Sequence, residues 1–218
     1  MAKSAVNLPA VGILGGTFDP VHFGHLRSAL EVCQQLRLDH VRLMPCHVPP
    51  HRSQPVAKAA ERRLLLELAV KNADNLIVDD RELQREGPSY SVDTLLSLRR
   101  DYPENPLFLI IGSDAFRQIA TWSRWTQLLE LAHIVVMQRA AEPLDLSADV
   151  QQWLSDNQAQ PADHALPAGK IWPVDVTALA ISATAIRSQR AVGQSVQFLV
   201  PEAVLTAIEQ LGLYPAKP

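Results

Sequence analysis

The chain has 218 residues, of which 47% are hydrophobic and 20% charged, with a formal net charge of −3. That length suits one large domain or two small ones, and the apolar fraction excludes a disordered chain. No Lys/Arg run exceeds two residues. This argues against a sequence-independent nucleic-acid binder, yet leaves room for a small anionic ligand held by local positive charge.

The first residues carry one lysine and a short apolar run interrupted by Pro9 and Gly12. That is too short and broken for a signal-peptide core, and no run approaches membrane-spanning length. Cys33 and Cys46 lack any metal-ligand spacing, and Cys33 falls on the apolar side of a predicted helix. The expectation is a soluble, cytoplasmic protein without structural disulfides or zinc.

In chain order, Val11–Leu14 is a short buried strand ending at Gly15-Gly16. From Leu26, apolar residues recur at Ala29, Leu30, Cys33 and Leu36, which is helical spacing. His40–Met44 alternates and stops at Pro45, a second strand, so the first three elements form a βαβ unit with a right-handed crossover. The stretch PCHVPPHRSQPVA is a loop, because its prolines deny helix and ladder hydrogen bonds. Ala59–Val70 follows as a helix, Leu76–Val78 as a strand and Ser91–Arg100 as a helix. Leu107–Ile111 is a wholly apolar strand stopping at Gly112-Ser113-Asp114. A helix through Trp125–Leu131 and the strand His133–Met137 come next. Residues 141–169 are richer in Pro, Gln, Asp and Ala, and are expected to form a surface excursion holding one short helix. Ile171–Val176 is the last strand, and helices follow at about 184–191 and 201–211. Strands apolar on both faces and separated by helices predict an α/β, doubly wound parallel sheet in a single domain spanning 1–218.

In such a sheet, ligands sit beyond the carboxyl ends of the strands. GGTFDPVHFGH, residues 15–25, occupies that position after the first strand. Glycines allow close backbone approach, free N–H groups at a helix start favour anions, and His22 and His25 lie three apart on one helical turn. Together they point to phosphate chemistry, although Asp19-Pro20 is equally a simple turn. The stretch is neither a Walker loop nor a G-x-G-x-x-G fingerprint.

His22-Phe23-Gly24-His25 resembles the (T/H)-x-G-H motif of a nucleotidyltransferase superfamily. PPHR at 49–52, IGSD at 111–114 followed by Trp122, and ISATAIR at 181–187 narrow the resemblance to bacterial nicotinate mononucleotide adenylyltransferases, over nearly the whole chain. The resemblance implies a Rossmann-like nucleotidyltransferase fold. It implies adenylyl transfer from ATP to nicotinate mononucleotide, giving nicotinic acid adenine dinucleotide and pyrophosphate in NAD biosynthesis. The attacking phosphate is already anionic, so donors and cations are needed rather than a protein nucleophile.

By resemblance His22, His25 and Arg187 are catalytic. Gly15, Gly16, Thr17, Phe18, Gly112, Asp114, Ile181, Ser182 and Thr184 bind ATP. His51, Arg52, Tyr90, Ser91 and Trp122 bind the mononucleotide, with Trp122 stacking on the pyridine and Tyr90-Ser91 receiving its carboxylate at a helix start. From the residues alone, Ser182 and Asp114 are also candidate helix N-caps, Arg187 a solvated helix charge, and Trp122 and Trp125 core residues; Trp125 is left in the core. Cys46 stands where some relatives have Asn and is not counted as a ligand. Mg²⁺ is expected to arrive with ATP, held by phosphates and water, since no carboxylate cluster suggests a protein cage.

Three rivals stand against this reading: a sister adenylyltransferase acting on phosphopantetheine, a nucleotide-binding regulator without turnover, and a nucleic-acid binder. Trp122, PPHR and the chain length oppose the first. The intact His22, His25 and Arg187 oppose the second, and the net charge opposes the third.

Overall fold

A computed structural model describes residues 8–47, 54–138 and 144–216. His51 and Arg52 therefore lie outside the described residues. Six strands form one sheet: β1 (Val11–Gly16), β2 (His40–Pro45), β3 (Leu76–Val78), β4 (Leu107–Gly112), β5 (His133–Gln138) and β6 (Ile171–Asp175). Their order is β3-β2-β1-β4-β5-β6, and every neighbouring pair is parallel. The chain thus builds outward from β1 in one direction, returns to β4, and builds outward in the other.

Side chains of successive strand residues point to opposite faces, and both faces are buried. Along β4, Phe108 and Ile110 enter one apolar layer, while Leu107, Leu109 and Ile111 enter the other. The first layer is closed by α1 (Phe23–Gln35), α2 (Ala59–Val70), α7 (Ala183–Ala191) and α8 (Glu202–Gln210). The second is closed by α3 (Ser91–Asp101), α4 (Ser113–Arg117), α5 (Leu128–Leu131) and α6 (Ala148–Asn157). The doubly wound parallel sheet expected from the sequence is the fold observed.

The differences are local. α1 begins at Phe23, ahead of the apolar periodicity that starts at Leu26, because its first turn faces the site rather than the core. The helix expected through Trp125–Leu131 is a 3₁₀ turn, Trp125–Gln127, running into the short α5. The five-residue α4 is too short to print a period in the sequence. Residues 144–169 contain α6 and a 3₁₀ turn at Pro161–Ala165. They do more than decorate the surface: Val150 and Leu154 belong to the second apolar layer. Trp153 stacks on Phe116 and meets Trp125 edge-on, with ring centroids 6.2 and 4.8 Å away.

Among the described residues no helix is long and apolar enough to cross a membrane. Cys33 and Cys46 are both buried free thiols, and burial raises the pKa of each.

Candidate active site

The strand order reverses between β1 and β4, so their carboxyl ends open a crevice between helices leaving toward opposite faces. Gly15 and Gly16 end β1, and Gly112 ends β4 beside it. A Cβ on Gly112 would lie 2.6 Å from Asp114 Oδ1, so a larger residue there would displace the Asp114 carboxylate. Gly112 is also the N-cap of α4, and no side chain caps that helix. Asp114 therefore sits exposed in the first turn, not as a cap.

His22 is the N-cap of α1 but makes no side-chain capping bond. Its ring instead stacks on His25, with centroids 3.7 Å apart and planes 23° from parallel. The His25 ring in turn meets Phe18 edge-on at 5.0 Å. Phe18 has φ of 49° and is buried, which locks the turn between β1 and α1. Burial lowers the His22 pKa to about 4, so this imidazole is neutral at pH 7. Its Nδ1 is buried with no hydrogen-bond partner among the described residues.

Gly24 explains its own place in the motif. A Cβ there would come within 3.0 Å of the His22 ring and 3.4 Å of the Ile181 carbonyl oxygen. The missing side chain lets the start of α1 approach the ISATAIR segment. Two helix N-termini thereby converge, those of α1 and α7, and both favour anions.

At α7, Ser182 is the N-cap, its Oγ accepting from the Ala185 N–H at 3.1 Å. Thr184 is exposed and its Oγ1 accepts from Arg187 Nη2 at 3.4 Å. Arg187 is not a solvated helix charge. Its Nη1 donates to the Asp19 carbonyl at 2.6 Å, and the Asp19 carboxylate lies 3.8 Å away.

Asp19 proves more than a turn residue. It is buried, and its carboxylate accepts from the Val56 N–H at 2.7 Å, the Ala57 N–H at 3.1 Å and the Tyr214 hydroxyl at 2.7 Å. The Asp19-Pro20 peptide bond is cis. Asp19 thus joins the β1–α1 turn, the segment entering α2, Arg187 and the C-terminal end of the chain. Sequence reasoning missed Tyr214 and also Arg62, a buried arginine bonded to two carbonyls of the site loops. An arginine inside an apolar helix was the only signal available.

On the second layer, Tyr90 is the N-cap of α3 and Ser91 its first residue, both half-buried. Tyr90, Trp122 and Trp125 pack against the same apolar layer. Asp93, in the first turn of α3, pairs with Arg124. Cys46 Sγ lies 3.8 Å from Thr17 Oγ1, and its raised pKa keeps it a protonated thiol.

No group of three or more His, Cys, Asp or Glu side chains among the described residues could hold a metal ion. Asp19, the buried carboxylate at the crevice among the described residues, already accepts three hydrogen bonds.

Fold and site together define a nucleotidyltransferase: the chain belongs to the cytidylyltransferase-like family, whose model matches residues 13–189. Within that class it belongs with the nicotinate-nucleotide adenylyltransferases. It is 46% identical over 207 residues to a probable nicotinate-nucleotide adenylyltransferase of Methylococcus capsulatus, covering 94% of this chain and 99% of the relative. Another of the same name, from Pseudomonas entomophila, is 47% identical over 216 residues, covering 98% and 99%. The fold also matches a solved Plasmodium falciparum nicotinic acid mononucleotide adenylyltransferase complexed with NaAD. That match has a TM-score of 0.71 at 15% identity and covers 94% of this chain and 97% of the other.

Proposed function

We propose that this chain transfers the adenylyl group of ATP to nicotinate mononucleotide, giving nicotinic acid adenine dinucleotide and pyrophosphate in NAD biosynthesis. A phosphate oxygen of the mononucleotide attacks the α-phosphorus of ATP, that bond forms as the bond to pyrophosphate breaks, and no covalent enzyme intermediate intervenes. The observation that carries the reading is the stacked His22–His25 pair at the start of α1, faced by the start of α7 with Arg187 beside it. These groups suit charge building on the α-phosphate and the leaving pyrophosphate. Neutral His22 acts as a hydrogen-bond donor rather than as a fixed cation.

Gly15, Gly16, Thr17 and Phe18 border the ATP phosphates, with Ser182 and Thr184 contributing hydroxyls and Ile181 backbone from the opposite side. Gly112 and the exposed Asp114 lie at the carboxyl end of β4, where a carboxylate can accept from ribose hydroxyls. Tyr90, Ser91 and Trp122 form the pyridine side, and the resemblance adds His51 and Arg52 to the residues that bind the mononucleotide. The N-terminus of α3 prefers the nicotinate carboxylate to a neutral amide. Mg²⁺ accompanies ATP, lending charge neutralisation to the phosphates, and is held by them and by water. The thiols, raised by burial, offer no nucleophile.

Pyrophosphate release from ATP and Mg²⁺ tests the reading, with nicotinate mononucleotide, its amide analogue and phosphopantetheine offered in parallel. Rapid release with the first alone is expected. Release with phosphopantetheine alone would overturn the assignments of Trp122, His51 and Tyr90. His22→Ala is expected to lower kcat by about 10²–10³-fold. A regulator that merely binds nucleotide would lose only affinity.

A further inference from the structure

Arg62 lies in the first turn of α2, is 1% exposed, and has the largest fully buried side chain among the described residues. Its Nη1 donates to the Thr17 carbonyl at 2.7 Å and its Nη2 to the Cys46 carbonyl at 2.8 Å. One guanidinium therefore ties the turn after β1 to the residue after β2. Its Nε has no acceptor, and no carboxylate pairs with it among the described residues. A buried cation without a counter-ion is expensive. Two carbonyls alone do not require one, since an amide can donate to carbonyls without the charge.

The geometry gives the charge a use. In a trans peptide the C=O and N–H point in opposite directions. The Thr17–Phe18 bond is not among the cis bonds, so drawing the Thr17 oxygen toward Arg62 turns the Phe18 N–H the other way. That N–H donates to none of the described residues, and the buried Phe18 ring prevents the turn from relaxing. His22 Nδ1, buried and likewise unpartnered, belongs to the same strand-to-helix turn.

We propose that Arg62 is a positioning residue for adenylyl transfer: it fixes the Thr17–Phe18 peptide with its N–H offered to the ATP phosphates, and those phosphates balance its buried charge. This rests on the reading of the site as one for ATP. Two effects are separable. The clamp needs a forked donor that reaches two carbonyls, whereas the field needs only a positive charge.

Arg62→Lys and Arg62→Met, compared with wild type, test both. The measurements are MgATP affinity by calorimetry, thermal unfolding with and without MgATP, and pyrophosphate release. Arg62→Lys is expected to keep ATP affinity within about threefold while kcat falls by about tenfold or more, because an ammonium cannot hold both loops. Arg62→Met is expected to lose about tenfold or more in ATP affinity, and with it most of the stabilisation that ATP confers. A folded Arg62→Met with wild-type ATP affinity overturns the charge role, and Arg62→Lys with wild-type kcat overturns the clamp. If Arg62→Met fails to fold, Arg62→Lys decides alone. A wild-type protein that binds ATP but releases no pyrophosphate with any acceptor would sink the proposed function. The affinity ratio of the variants would still judge Arg62.

Discussion

His22 is buried to the point of losing its charge, and this makes its chemistry measurable without substrate. Its pKa of about 4 places the titration well below that of an ordinary imidazole. An NMR titration of the free protein, with His22→Ala to assign the resonance, is expected to find His22 still neutral at pH 5.5. A midpoint near 6.5 would mean that the ring is solvated and the stacked pair is open. Gly24 is the neighbouring test. Gly24→Ala would press a methyl against the His22 ring and the Ile181 carbonyl. Misplacement at a reacting centre lowers the rate, by up to about 10²-fold for a full ångström. The expected outcome is that loss in kcat with little change in melting temperature, since Gly24 is not in the core.

At the scale of elements, two long-range attachments carry the argument. Asp19 collects two backbone N–H groups, a phenol and a nearby guanidinium, and thereby holds four chain segments together. Burial and the adjacent Asp19 carboxylate raise the Tyr214 pKa, so the phenol stays a donor. Tyr214→Phe removes one donor and is expected to cost about 1 kcal/mol in urea denaturation with turnover kept. Asp19→Asn leaves a backbone N–H facing an amide and takes the counter-charge from Arg187. A cost of about 2–3 kcal/mol and a reduced kcat are expected together. The second attachment is α6. Leu154→Ala opens space in the second apolar layer and is expected to cost about 2–4 kcal/mol, while kcat per folded molecule stays unchanged.

At the scale of the whole molecule, buried histidines set the acid limit. His133 is fully buried at the start of β5. Its Nε2–H donates to the Leu166 carbonyl at 2.7 Å, so its Nδ1 accepts from the Lys170 N–H at 3.2 Å. Burial lowers its pKa to about 4, as for His22. Between pH 6.5 and 4 the unfolded chain takes up protons that the folded chain refuses at both positions, so stability falls as pH falls. Each contributes up to roughly 3 kcal/mol across that window. Glu82 acts in the opposite sense, because burial raises its pKa despite the hydrogen bond from Thr94 and the charge of Arg85. Chemical denaturation at pH 7.5, 6 and 5 is expected to give successively lower stability, most of it gone by pH 4. A flat profile over that range would contradict the burial of both rings.

The sequence by itself determined the parallel sheet and the core of the site, because both are written in neighbouring residues. A strand buried on both faces must be apolar throughout, as Leu107–Ile111 is. A phosphate-facing strand-to-helix turn draws its glycines and histidines from one short stretch, so GGTFDPVHFGH was legible without any knowledge of the fold. The whole of α4 was not, since five residues are too few to show a period. Only the tertiary structure decided what holds that turn in shape. Arg187 reaches Asp19 across 168 positions and Tyr214 across 195, while Arg62 grips two carbonyls whose identity leaves no trace in the sequence. A hydrogen bond to a backbone carbonyl places no demand on the side chain of its acceptor. A buried charge closed by distant segments is therefore invisible until the chain has folded around it.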